Sequence, residues 1–207
     1  MSVESVEISQ AERAPVLPPG GTVSGPRSTS WWGMILIIIN EAILFASLLA
    51  SYFYLRFNSP LWPPQGIQRP ELVLSSINTA ILLGSSFVMQ WGLSGIRKDN
   101  SGRLRLGLAI AFVMGAVFLG IQIYEYTQLE FSPQEVAYAS LFWTITGIHA
   151  THVLVALLMN AYIQVRANLG QFDGARHQGV ENVTLYWHFV DVVWVFIFTS
   201  LFLSPYF

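Results

Sequence analysis

The stretch that decides the fold is WWGMILIIINEAILFASLLASYFYL, residues 31–55. It holds one charge, Glu41, in an otherwise apolar run. About 20 apolar residues suffice to cross about 30 Å of hydrocarbon as a helix. Four more such runs follow, at Leu72 to Ile96, Leu106 to Tyr126, Ala137 to Val165 and Asn182 to Ser204. The fourth is the longest and is expected to tilt or protrude. These runs predict an all-α integral membrane protein, a bundle of five transmembrane helices over residues 31–207.

Composition agrees. Of 207 residues, 53% are hydrophobic and 11% charged, against roughly 25% charged in soluble domains. Mean hydropathy is +0.51. A water-soluble enzyme is excluded, and a net charge of −2 gives nucleic acid no electrostatic footing. With no cysteine, disulfides, thiolate metal sites and cysteine catalysis are excluded as well. Residues 1–30 differ in kind: Glu4, Glu7, Glu12, Pro15, Pro18, Pro19 and Pro26 with no periodicity predict a flexible tail.

Basic residues orient the bundle. An N-terminus in the cytoplasm places eight on the inner side: Arg13, Arg27, Arg97, Lys98, Arg103, Arg105, Arg166 and Arg176. Two, Arg56 and Arg69, fall outside. The C-terminus is therefore expected outside. Trp31, Trp32, Trp62, Trp91 and Tyr162 fall near the boundaries as an aromatic belt. Ala46/Ala50, Ser47/Ser51, Ala80/Gly84 and Ala111/Gly115 have the spacing of close helix contacts.

Ionisable groups inside hydrocarbon cost at least about 2.5–3.5 kcal/mol each, so each needs a reason. Glu41 and Asp191 lie roughly 10–15 Å from the inner surface at 1.5 Å per residue. The neighbours of Glu41, Ile37, Ile38, Ala42, Leu44 and Phe45, offer no opposite charge. A carboxyl there is a candidate for taking up and releasing a proton. His188 shares a face with Asp191, and His149 with His152, by i, i+3 spacing. Asp191 and His188 read equally as polar glue between helices. Glu125, near the outer surface, is expected to be interfacial and solvated. His149 and His152 permit a metal, and His149, His152 and His188 permit a haem between two helices. The i, i+4 zinc pattern with its Glu is absent, and so is the repeated Glu-x-x-His of di-iron bundles. Arg97 and Lys98 read as an inner-side anchor able to meet lipid headgroups.

Several motifs together resemble one family. Tyr186-Trp187-His188-Phe189-Val190-Asp191-Val192-Val193-Trp194 is similar to the last-helix signature of subunit III of the haem–copper respiratory oxidases. Trp32-Gly33-Met34 through Asn40-Glu41 to Tyr52 resembles the helix bearing that family's buried glutamate. Pro63-Pro64, Ile77-Asn78-Thr79, Gln122-x-x-Glu125-Tyr126 and Gly147-x-His149-x-x-His152 agree in order and spacing. The similarity covers about residues 31–204.

The resemblance implies an accessory subunit of a proton-pumping oxidase that reduces oxygen to water. It implies no cofactor on this chain, with haem and copper in partner subunits I and II; a small subunit IV is a further candidate partner. Glu41 takes the place of the buried glutamate, with Asp191 and Glu125 as further proton-active or structural carboxyls. His149, His152, His188 and Asn78 become buried polar partners. Membrane phospholipid is expected in a cleft, with Arg97, Lys98, Arg176 and His177 as headgroup contacts. The family's longer form has seven helices, and the five-helix pattern here favours a bacterial plasma membrane. A quinol oxidase subunit III, and from another class a stand-alone proton or ion transporter, remain as alternatives.

Overall fold

The computed structural model describes residues 28–64, 66–67 and 70–206. The tail expected over residues 1–30 lies almost wholly outside the described residues, as do Arg13, Arg27 and Arg69. The described residues form five long helices: α1 Thr29–Phe57, α2 Leu72–Ile96, α3 Ser101–Gln128, α4 Ala137–Asn168 and α5 Gln178–Ile197. All five are long and apolar enough to cross a membrane. The last continues through a π-helical turn, Phe198–Leu203, and a 3-10 turn, Ser204–Tyr206.

Local chemistry sets the ends. Ser28 caps α1 by accepting from the Trp31 amide at 3.3 Å. Asn100 caps α3, its Oδ1 accepting from the Arg103 amide at 2.9 Å. Between α2 and α3, Asp99 adopts φ 57°, the left-handed conformation that Asp tolerates better than most residues. Its carboxylate accepts from the Gly174 amide at 2.6 Å, tying the α2–α3 turn to the α4–α5 connection. One end of the bundle thus carries the start of α1 and these two connections. The other end carries the α1–α2 and α3–α4 connections and the C-terminal turn.

The helices run alternately up and down, with α2, α3, α4 and α5 in a ring and α1 laid outside against α4 and α5. α1 is the least buried span. Tryptophans on α5 lock the ring. Trp187 Nε1–H donates to Ser85 Oγ and Trp194 Nε1–H to Thr79 Oγ1, both at 2.9 Å. Arg56 donates to the Ser204 carbonyl at 2.9 Å, fastening the end of α1 to the C-terminal turn.

Small residues decide two of the contacts. α2 and α3 meet at Gly92 and Gly107, where a Cβ on Gly107 would lie 2.7 Å from the Gly92 Cα. Gly115, with Ala111 buried one turn away, faces the Trp187 ring, and a Cβ there would lie 2.9 Å from it. The expected α1 pairs are different. Ala46, Ser47, Ala50 and Ser51 are all exposed, because α1 turns Phe45 and Tyr52 to the bundle instead. Ser47 and Ser51 donate to carbonyls of their own helix.

Gly107→Leu should force α2 and α3 apart. Overpacking costs about 1–3 kcal/mol, so detergent unfolding curves should show a lowered midpoint. Gly120→Leu, where nothing lies within 4 Å of a Cβ, should leave it unchanged.

Candidate functional site

Glu41 projects from the middle of α1 toward α4. Its Oε2 lies 3.0 Å from His152 Nε2, so the partner missing from its own helix comes from 111 residues away. The reading of Glu41 as a carboxyl without a counter-group is corrected by this contact. Sequence neighbours cannot reveal a partner on another helix. His152 Nδ1 lies 2.8 Å from the Ile148 carbonyl. A carbonyl only accepts, so Nδ1 carries a hydrogen. A hydrogen bond between Nε2 and Glu41 then requires a hydrogen on one of the two, giving carboxylic acid with neutral imidazole or carboxylate with imidazolium. Either form is neutral in total, which is what a low-dielectric surround favours. The pair opens on a groove of about 280 Å³ lined by Met34, Ile37, Thr151, Val155, Met159 and Tyr186.

A second cluster joins α2 and α5. Ser86 Oγ donates to Asp191 Oδ2 and lies 2.8 Å from His188 Nδ1. A serine hydroxyl has one hydrogen, so with that hydrogen on Asp191 it accepts from the His188 N–H. His188 Nε2 lies 3.2 Å from Gln90 Oε1. Asp191 is only 3% exposed, and its Oδ1 has no protein partner among the described residues. Neither Ser86 nor Gln90 was singled out from the sequence; a lone Ser or Gln in an apolar run carries no signal of its own.

His149 is placed differently from its expected role as a hydrogen-bonding group. It is 1% exposed, and neither ring nitrogen has a protein partner among the described residues. It packs as an aromatic, stacked on Trp194 with centroids 4.8 Å apart and edge-on to Phe118. Asn78 is fully buried and donates to the Phe118 carbonyl at 3.2 Å. Glu125 is not the solvated carboxylate expected: its Oε1 accepts from Ser75 at 2.7 Å and its Oε2 is buried. The position along α3 is near a helix end, but the side chain turns toward α2.

The four candidate headgroup residues lie at the end of the bundle that begins α1. Arg97 pairs with Glu181 at 2.7 Å, and His177 Nε2 stands 3.4 Å from the same carboxylate. Lys98 is exposed. Arg176 bonds Asp173 through Nε and Nη2, at 2.9 and 2.6 Å.

Among the described residues, no group of three or more His, Asp or Glu side chains could hold a metal ion. Nor do the imidazoles fit a haem: His152 and His188 are bonded to protein groups, and His149 is wedged among rings.

Residues 25–206 match the family model described as Cytochrome c oxidase subunit III. The chain belongs to that family. It is 38% identical over 172 residues to the cytochrome c oxidase subunit 3 of Thermostichus vulcanus, covering 83% of this chain and 85% of the relative. The Synechocystis sp. subunit 3 is also 38% identical, over 83% of this chain and 74% of its own length. That of Locusta migratoria is 36% identical over 83% and 67%. Membership places the chain in an oxidase complex of the respiratory chain, in a family whose third subunit has no redox centre.

The connection between α4 and α5 gives a pH-dependent prediction. Hydrogen bonds from the Arg176 side chain, seconded by amides of Arg176 and Ala175, hold the Asp173 carboxyl below its ordinary value. A depressed folded-state value means the clip is intact above the unfolded value and lost as pH falls through the folded one. The Asp173 carboxyl carbon-13 shift should titrate below about 3.9, the unperturbed value. Arg176→Gln should move the midpoint upward; an unchanged midpoint would contradict the clip.

Proposed function

We propose that the chain is the accessory subunit III of a proton-pumping cytochrome c oxidase, supporting proton supply and lipid binding at the flank of the catalytic subunit. Haem and copper reside in partner subunits I and II on this reading, and a small subunit IV can complete the assembly. The observation that carries it is the Glu41–His152 pair. It joins a carboxyl of α1 to an imidazole of α4 beside a groove on the side of the bundle. Such a pair can exchange a proton at its exposed edge without placing net charge in hydrocarbon. Glu41 is a quarter exposed, which leaves that edge accessible.

The balance of basic residues supports an N-terminus inside and a C-terminus outside, and the five-helix form supports a bacterial plasma membrane. The groove walls are mainly apolar, and an acyl chain suits them. Lys98 and the exposed flank of Arg97 are the proposed headgroup contacts. Arg176 and His177, engaged with Asp173 and Glu181, are proposed to contribute only where those pairs open. Asp191, His188 and Ser86 are proposed to hold α2 to α5.

Isolation in mild detergent should yield this chain with haem-bearing partners, seen in the absorption spectrum and in a mass for each chain. A chain isolated without them would favour the transporter. In the assembled complex, Glu41→Gln should preserve initial oxygen reduction, far from the at least about 100-fold loss that follows removal of a catalytic acid or base. Inactivation during sustained turnover should come earlier than in the wild type. Complete loss of initial activity with normal assembly would refute an accessory role.

A further inference from the structure

At the end of the bundle remote from the start of α1, the helices α2, α3 and α4 and the C-terminal turn surround a cavity of about 110 Å³. That is room for several water-sized groups. Its polar wall includes Glu71, Ser75, Gln122, Glu125 and Gln128. Gln122 is 1% exposed and its Oε1 is buried without a partner among the described residues. The Glu125 Oε2 is in the same condition. Ser75 cannot supply the shortfall. Its single hydroxyl hydrogen is placed for both the Glu71 carbonyl, at 2.8 Å, and Glu125 Oε1, at 2.7 Å. Two buried acceptors at the cavity, Gln122 Oε1 and Glu125 Oε2, are therefore without a donor among the described residues, and two carboxyl side chains stand at it.

Unpaired buried acceptors cost about 1–3 kcal/mol each, so the cavity favours an occupant that donates hydrogen bonds. The rest of the wall says which kind. Phe131, Phe142 and Phe202 line the cavity together with Tyr126. Aromatic faces attract an organic cation and also pack against an alkyl stem. A hard metal ion wants six or more oxygen ligands, or several retained waters, and here the oxygens lie on one side while the rings opposite give an ion nothing to bind. A primary ammonium carries three N–H donors. We propose that this cavity binds a primary ammonium group on a short alkyl stem, donated to Gln122 Oε1 and the Glu125 carboxyl. The source is the amine headgroup of an aminophospholipid or a free small amine. The Gln122-x-x-Glu125-Tyr126 motif would then be a ligand-binding feature in its own right. The inference goes beyond the oxidase assignment and does not rest on it.

The test uses the full chain in phosphatidylglycerol nanodiscs with ethylammonium chloride as the probe. Ethylammonium should raise the unfolding midpoint saturably, as a ligand of the folded state does. Equal concentrations of sodium chloride and ethanol should not. Gln122→Leu and Glu125→Gln should each abolish the saturable shift. Nuclear Overhauser contacts from the ethyl protons to aromatic ring protons in the wild type give a second readout, valid even where a variant fails to fold. The proposal is overturned by an equal response to sodium, by a shift that survives both variants, or by no shift and no contacts in the wild type. Phosphatidylethanolamine nanodiscs separate the two sources. A lipid amine already in place suppresses the ethylammonium shift, whereas an unaltered shift identifies the free amine.

Discussion

Hydrocarbon offers no hydrogen-bond partner, so a polar side chain within this bundle is favoured where another helix or its own backbone supplies one. Much of the architecture follows from that demand. Glu41 of α1 meets His152 of α4. Ser86 of α2 meets His188 and Asp191 of α5, and Ser75 of α2 meets Glu125 of α3. Even the tryptophan N–H groups are spent this way, on Ser85 and Thr79. Each pairing fixes rotation about a helix axis, which apolar packing alone leaves loosely set. In a membrane the hydrophobic effect does not drive helix against helix, so such contacts and close packing carry more of the specificity.

Close packing does the remainder, and it is uneven. The approach of α2 and α3 leaves no room for a Cβ on Gly107 and only a tight 3.3 Å for one on Gly92. The face of α5 that bears Trp187 and Trp194 fills the centre of the ring with fully buried rings. α1 has neither device. It is held by Phe45, Tyr52 and the Glu41 contact along its length, and by Arg56 at its end. Because α1 contributes so little buried apolar surface, the polar contact with His152 has unusual weight in placing it.

The five spans were legible because bilayer thickness sets a length that composition alone reveals. So was the sharing of a face by His188 and Asp191, since helical spacing is local. What remained hidden depends on rotation and on distant chain segments. Glu41 lacked a visible partner because His152 is brought to it only by the packing of α1 on α4. Glu125 lies near a helix end, which suggested solvent, yet the direction of its side chain is set by Ser75 across the interface. Ala46 and Ala50 have a packing spacing, but the face they occupy is decided by larger neighbours, Phe45 and Tyr52. His149 shows the converse: a residue chosen for its nitrogens is held through its ring.

The polar groups also have a distribution that bears on what the chain does. Glu41 and His152 lie between α1 and α4, the Ser86–His188–Asp191 cluster between α2 and α5, and Gln122 and Glu125 at the α2–α3 end. These are three places between three different helix pairs. A centre that performs oxygen chemistry gathers its ligands and acids around one reacting atom, because proximity and orientation supply much of the rate. Dispersed pairs, two of them beside grooves on the flank of the bundle, suit instead a protein that conditions its surroundings. On the proposed reading they would hold protons, lipids or neighbouring helices at the edge of the oxidase complex.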